Sequence, residues 1–165
     1  MLLNRTWIEA RIPHQGHMCL LDEVIEWNEQ YIRCATATHR APDNPLRSHG
    51  RLGGAAGIEY ASQAMALHGA LAGAAMRSSG GAAEASLRTA PQVGLLAGLR
   101  DVRLFVPRLD DIESDLICEA TRLAGDGLTA LYEFALRDRN SILLSGRASV
   151  VLDAGGRLTG GRLER

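Results

Sequence analysis

The sequence predicts an α+β domain in which one long buried helix is wrapped by an antiparallel sheet. Three observations predict it. The segment AAGIEYASQAMALHGALAGAA is apolar nearly all round, which places a helix inside a fold rather than on its surface. Strand patterns flank it unevenly, two before and four after. No second long helix separates the strands, so consecutive strands pair antiparallel through turns.

The elements follow in order. Asn4 can cap a short helix through Glu9, and Pro13 ends that unit. The apolar run MCLLDEVIEW reads as a strand over about residues 19–27. Asn28 and Glu29 signal a turn, and QYIRCATATH then alternates, with Ile32, Cys34, Thr36 and Thr38 on one side. Residues 40–54 have loop composition, rich in Pro, Asp, Asn and Gly. The central helix covers about residues 55–75, which is roughly 30 Å; Gly69 and Gly73 weaken its last turns. Residues 77–90, rich in Ser, Gly and Ala, read as a flexible connection. Four strands follow: QVGLLAGLRDVRLFV, where Gly94 and Gly98 suggest a bulge, then DLICEATRLA, LTALYEFALRD and SILLSGRASVVLD. A single domain over 1–165 results, with a core of about 10–152 and a frayed tail over 154–165. One apolar helix inside one strongly curved antiparallel sheet is the hotdog fold.

Composition excludes several functions. Net charge is −1, which gives no reason to expect nucleic acid or an anionic membrane as a partner. All 18 basic side chains are Arg, so no lysine amine exists for Schiff-base chemistry. Cys19, Cys34 and Cys118 are odd in number and far apart, the pattern of buried small hydrophobes rather than disulfides or a zinc site. The N-terminus does not read as a signal peptide, and no apolar run reaches the ~18–20 residues of a membrane helix. A cytoplasmic protein is expected.

Glu59 is the leading chemical candidate. A carboxyl among Ala, Ile, Met and Leu positions is costly to bury, and burial would keep it protonated as a proton donor near neutral pH. Its first-turn position pulls the other way through the helix dipole, and a simple helix-capping role is the alternative. Gln63, four residues on, shares its face and can orient it. Of the five histidines, His14 precedes the first strand, His49 sits in the Gly-rich loop, and His68 is half a turn out of phase with Glu59, which suits the core or an interface. His14 and His17 form a His-x-x-His spacing, but no third metal ligand is near in sequence, so no metal is expected. Gly53, Gly54 and Gly57 surround the helix start, where free N–H groups could polarise a substrate carbonyl or simply form a tight turn. No Walker lysine, Rossmann pattern or nucleophile elbow is present.

These residues resemble a known family. PHQGHMCLLDEVIEW resembles the P-H-R-x-P-M/F-L-L-x-D-x-V segment of 3-hydroxyacyl-carrier-protein dehydratases of the hotdog superfamily. GIEYASQAMA resembles that family's helix motif, with Glu and Gln also four apart, and VRLFVPRLDD resembles its P-V-x-P-G-D strand. The likeness is greatest to the short subfamily associated with aryl-polyene-type pathways. It implies dehydration of a 3-hydroxyacyl thioester on an acyl carrier protein to the trans-2-enoyl thioester by a His–acid pair. It also implies a homodimer with sites at the dimer interface and no cofactor, since phosphopantetheine arrives with the substrate. By matching position, Glu59 takes the role of the catalytic carboxylate and Gln63 of its supporting amide. The family's usual G-H-F-P-G-x-P histidine loop is replaced here by RSHGRLGGAAGIE, which is shorter and lacks F-P-G. His49 is therefore either a displaced equivalent or a bystander, and His14 is slightly favoured as the base. Gly57 and Gly54 remain candidates for holding the substrate. A hotdog thioesterase using Glu59 with water, and a non-catalytic acyl-binding hotdog subunit, are the alternatives.

Overall fold

The computed structural model describes residues 3–79 and 93–153. It holds seven strands and one long helix, in the order β1 (Leu3–Asn4), α1 (Arg5–Glu9), β2 (Glu23–Trp27), β3 (Tyr31–Thr36), α2 (Gly57–Ser79), β4 (Val93–Leu104), β5 (Leu116–Gly125), β6 (Thr129–Arg137) and β7 (Ile142–Asp153). The strands form one sheet in the spatial order β1-β2-β3-β5-β6-β7-β4, with every neighbouring pair antiparallel. The helix α2 packs against β3, β5 and β6. This is the α+β hotdog architecture expected.

Alternation builds the sheet's inner face. Ile32 and Cys34 on β3, Leu116, Cys118 and Ala120 on β5, and Tyr132, Phe134 and Leu136 on β6 are buried. They meet Tyr60, Ala61, Ala64, Met65, Leu67 and Leu71 of α2 in one core. The helix runs through Gly69 and Gly73 without a break, because packing outweighs their low propensity. Its N-terminus lies two residues later than expected, since Gly54–Ala56 forms a 3-10 turn first. Its C-terminus reaches Ser79, so the first residues expected in a flexible connection are helical, while 80–90 and the tail lie outside the described residues.

Two local differences have clear causes. The strand expected from about residue 19 is β2, and it begins at Glu23. Leu20 instead gives its N–H to the Gln63 side chain and its C=O to the hydroxyls of Thr36 and Thr38, so side chains replace a strand ladder there. The two-residue β1 escaped prediction because a pair of residues carries no period. Asn4 does cap α1, accepting from Trp7 N–H at 3.1 Å. On β4 the ladder shifts between Leu96 and Gly98, a bulge one residue from an expected glycine.

Candidate active site

His14, in the loop after α1, and Glu59, in the first turn of α2, are brought together. Pro13 and Gln15 frame His14, and the Gln15 amide reaches back to the Glu9 carbonyl at 2.5 Å, which fixes the loop. His14 Nε2 then stands 3.1 Å from Glu59 Oε1 in the first turn of α2. Gln63, fully buried one helical turn on, donates its amide nitrogen to the same Oε1 at 3.1 Å and to Met18 O at 2.8 Å. Its amide oxygen accepts the Leu20 N–H at 2.8 Å. The His14 and Gln63 bonds converge on Oε1, and the Glu59 side chain is partly exposed.

The electrostatics revise one expectation. The hydrogen bond from His14 holds the Glu59 carboxyl below its ordinary value; burial opposes this, and the Gln63 amide adds to it. Glu59 therefore rests ionised rather than protonated, because its side chain is only partly buried and two donors face it. His14 Nδ1 is buried and has no hydrogen-bond partner.

The other candidates fall elsewhere. His49 is exposed at the tip of a tight turn closed by the Ser48–Arg51 bridge. Both His49 and Gly50 have positive φ, 51° and 75°, as a type I′ turn requires. The imidazole in contact with Glu59 within this chain is that of His14. Gly54 donates its N–H to Pro107 O at 3.0 Å, and Gly57 closes the 3-10 turn onto Gly54 O. Neither N–H is free to hold a substrate oxygen. Their lack of a side chain serves packing instead: a Cβ at Gly54 would meet Val106 O at 2.2 Å, and one at Gly57 would meet methyls of Leu136 and Leu144 at 2.8 and 2.9 Å. His14 and His17 turn to different carboxylates, His17 to Asp43 at 3.2 Å, and no cluster of three metal-ligating side chains occurs among the described residues. His68 is a core residue, bonded to the Tyr132 hydroxyl and to Asn28 O.

What sequence reasoning missed is the backbone clamp on Gln63. Met18 O and the Leu20 N–H fix the amide, yet nothing in MCLLDEVIEW signals that its first residues leave the ladder.

A single buried helix in one curved antiparallel sheet, with an imidazole–carboxylate pair at the helix start, defines a hotdog-fold protein equipped for acid–base chemistry. The chain belongs to the ApeP-like dehydratase family, described as ApeP dehydratase, whose sequence profile matches residues 6–154. It is thus a hydro-lyase by class, of the aryl-polyene-associated type that the motifs implied. Among solved structures it is similar to the dehydratase heterocomplex ApeI:P from Xenorhabdus doucetiae, with 23% identity, 92% of this chain and 94% of that one covered, and a TM-score of 0.74. A thioesterase from Haemophilus influenzae shares the fold at 12% identity, 79% and 77% coverage and a TM-score of 0.53. An uncharacterised protein from Pyrococcus horikoshii does so at 15%, 82% and 85%, and 0.55. A search of curated proteins found no match.

Proposed function

We propose that the chain removes water from a 3-hydroxyacyl thioester carried on an acyl carrier protein, giving the trans-2-enoyl thioester. The observation that carries this reading is the 3.1 Å contact between His14 Nε2 and Glu59 Oε1, in a chain of a dehydratase family. The thioester carbonyl acidifies the α-carbon proton, and one acid and one base suffice for the elimination. The resting state suits Glu59, held ionised by its donors, to take the α-proton. Protonated His14 gives a proton to the leaving hydroxyl, which departs as water. The proton on Glu59 then crosses the short contact to the imidazole and restores the pair. The sequence had suggested the reverse roles, with Glu59 as the acid. No metal or redox cofactor enters this scheme, phosphopantetheine comes with the substrate, and the cytoplasm is the compartment it calls for.

A second hotdog subunit fits β4. This strand exposes Leu95, Leu96, Leu99 and Leu104, with Phe105 just beyond, and among the described residues it pairs on one side only, with β7. Unpaired strand edges with exposed apolar residues are sites of strand addition. A homodimer built there is the favoured assembly. The related ApeI:P complex is a heterocomplex, so a different hotdog chain is the competing partner.

The test is incubation of the purified protein with 3-hydroxyacyl groups on a carrier protein, followed by mass spectrometry. Loss of water, abolished by Glu59→Gln and His14→Ala but not by His49→Ala, is the expected result. Release of free acid would support a thioesterase instead. No reaction with any acyl length, from a folded and assembled protein, would favour a non-catalytic subunit.

A further inference from the structure

Behind the His14–Glu59 pair lies a second polar system, on the far side of the Leu20 peptide. Leu46 N–H donates to Asn44 Oδ1 at 2.9 Å, which fixes the direction of that amide. Asn44 Nδ2 has two hydrogens, and both are used: one reaches Thr38 O and the other the Tyr60 hydroxyl, each at 2.9 Å. Tyr60 accepts from Asn44, so its own proton points to Thr38 Oγ1, 3.0 Å away. Thr38 in turn donates to Leu20 O at 2.7 Å, joined there by Thr36 at 2.5 Å. On the other face of Leu20, its N–H meets Gln63 Oε1. A backbone N–H can only donate, so the Gln63 oxygen must face Leu20 and its nitrogen must face Met18 O and Glu59. The Thr36 and Thr38 hydroxyls also stand 2.9 Å apart, where either can donate, and with the Thr38 proton on Leu20 O the run is directed from Asn44 to the carboxylate.

We propose that Thr38 is a positioning residue for Glu59: its hydroxyl, aimed by Tyr60 and Asn44, joins Thr36 in holding the Leu20 carbonyl and so the Leu20 backbone, whose N–H, in the preceding peptide plane, sets the Gln63 amide that fixes the carboxylate. Burial gives the arrangement its force. Tyr60, Gln63 and Leu20 are fully buried and Asn44 is 6% exposed, so water cannot readily replace a partner lost at those groups, while Thr38 itself is half-buried. If the Leu20 backbone shifts at its carbonyl and carries the preceding peptide with it, the Gln63 amide loses its orienting donor, and rotation would turn its oxygen against the Glu59 carboxylate. Glu59 Oε1 would lose a bond and Oε2 would lose its fixed direction. This inference deepens the dehydratase reading and rests on Glu59 as an acid–base group.

The experiment compares Thr38→Val, which keeps shape and removes the hydroxyl, with Thr38→Ser, which keeps the hydroxyl. Tyr60→Phe breaks the same run from its other side. Two readouts are taken: kcat and KM for a 3-hydroxyacyl thioester, and NMR of the Leu20 amide exchange rate and Gln63 side-chain resonances. The expected result is a kcat roughly 10- to 100-fold lower in Thr38→Val with KM little changed. Leu20 exchange speeds and the Gln63 resonances move, while amides in β6 and β7 keep their rates. Thr38→Ser restores both readouts, and Tyr60→Phe lowers kcat in the same direction. Wild-type turnover and unchanged Gln63 resonances in Thr38→Val would overturn the proposal, as would failure of Ser to rescue. If the native protein turns over no 3-hydroxyacyl thioester, the dehydratase reading falls. The Leu20 and Gln63 resonances then still decide the positioning claim, which stands if they move in Thr38→Val and fails if they do not.

Discussion

His14 Nε2 and Glu59 Oε1 lie 3.1 Å apart although 45 positions separate them in the chain, and the Gln63 amide closes on the same oxygen. Removing either member of such a pair takes away an acid–base group, which typically costs roughly 10²- to 10⁴-fold in rate. Glu59→Gln and His14→Ala are each expected to lose activity in that range. Circular dichroism should show both variants folded.

The carboxyl's titration reports the same contact. His14 holds Glu59 below its ordinary value, so the stability this bond supplies is full above the ordinary carboxylate range. It is lost as pH falls through the lower folded value. In ¹³C NMR the Glu59 carboxyl should titrate below 4.5 in the native protein and move upward in His14→Ala. An unchanged midpoint would mean that His14 does not set the charge of Glu59.

Gly57 supplies a packing test. A methyl there would press on Leu136 and Leu144, side chains of β6 and β7 that are fully buried. Gly57→Ala should cost about 1–3 kcal/mol through overpacking. Thermal melting measures this, and kcat should fall too, because Glu59 is two residues on.

Two buried histidines set a pH window for stability. Burial lowers the values of His68 and His39 from 6.5, so the folded protein keeps them neutral while the unfolded chain takes up protons. Their contribution is full above about 6.5 and declines as pH falls toward the folded values. The melting temperature should drop between pH 7 and pH 5. His68→Gln should lessen that drop, and a slope as steep as the native one would count against burial as its cause.

The thiols should be inert. Cys34 and Cys118 face each other across β3 and β5, burial pushes Cys34 up to about 12 and Cys118 well above its usual value, and Cys19 is also raised. A thiol reagent at pH 8 should label none of the three natively and all three in denaturant.

Much of this molecule was legible in the sequence because its signals were long. The 23-residue α2 announced itself by an apolar surface, and β3 by the alternation that buries Ile32, Cys34 and Thr36. Glu59 stood out as a carboxyl among apolar neighbours, and Gln63 by its spacing. What stayed hidden depends on contacts between distant segments. The choice between His14 and His49 needed a distance rather than a motif. The charge of Glu59 was misjudged because burial was weighed above the helix dipole, and the His14 donor that contributes most could not be read from the sequence. The amides of Gly54 and Gly57 looked free until Pro107 and the 3-10 turn took them.

The sheet's two margins are unequal. One ends in the two-residue β1, and the other in the twelve-residue β4. Strand pairing along β4 consumes the long margin of each participant and leaves a stub at either outer end. A stub of two residues offers too few backbone groups to template another strand. In the assembly proposed above, the apolar strand that would otherwise template another is matched along its length, so that margin cannot seed a fibre.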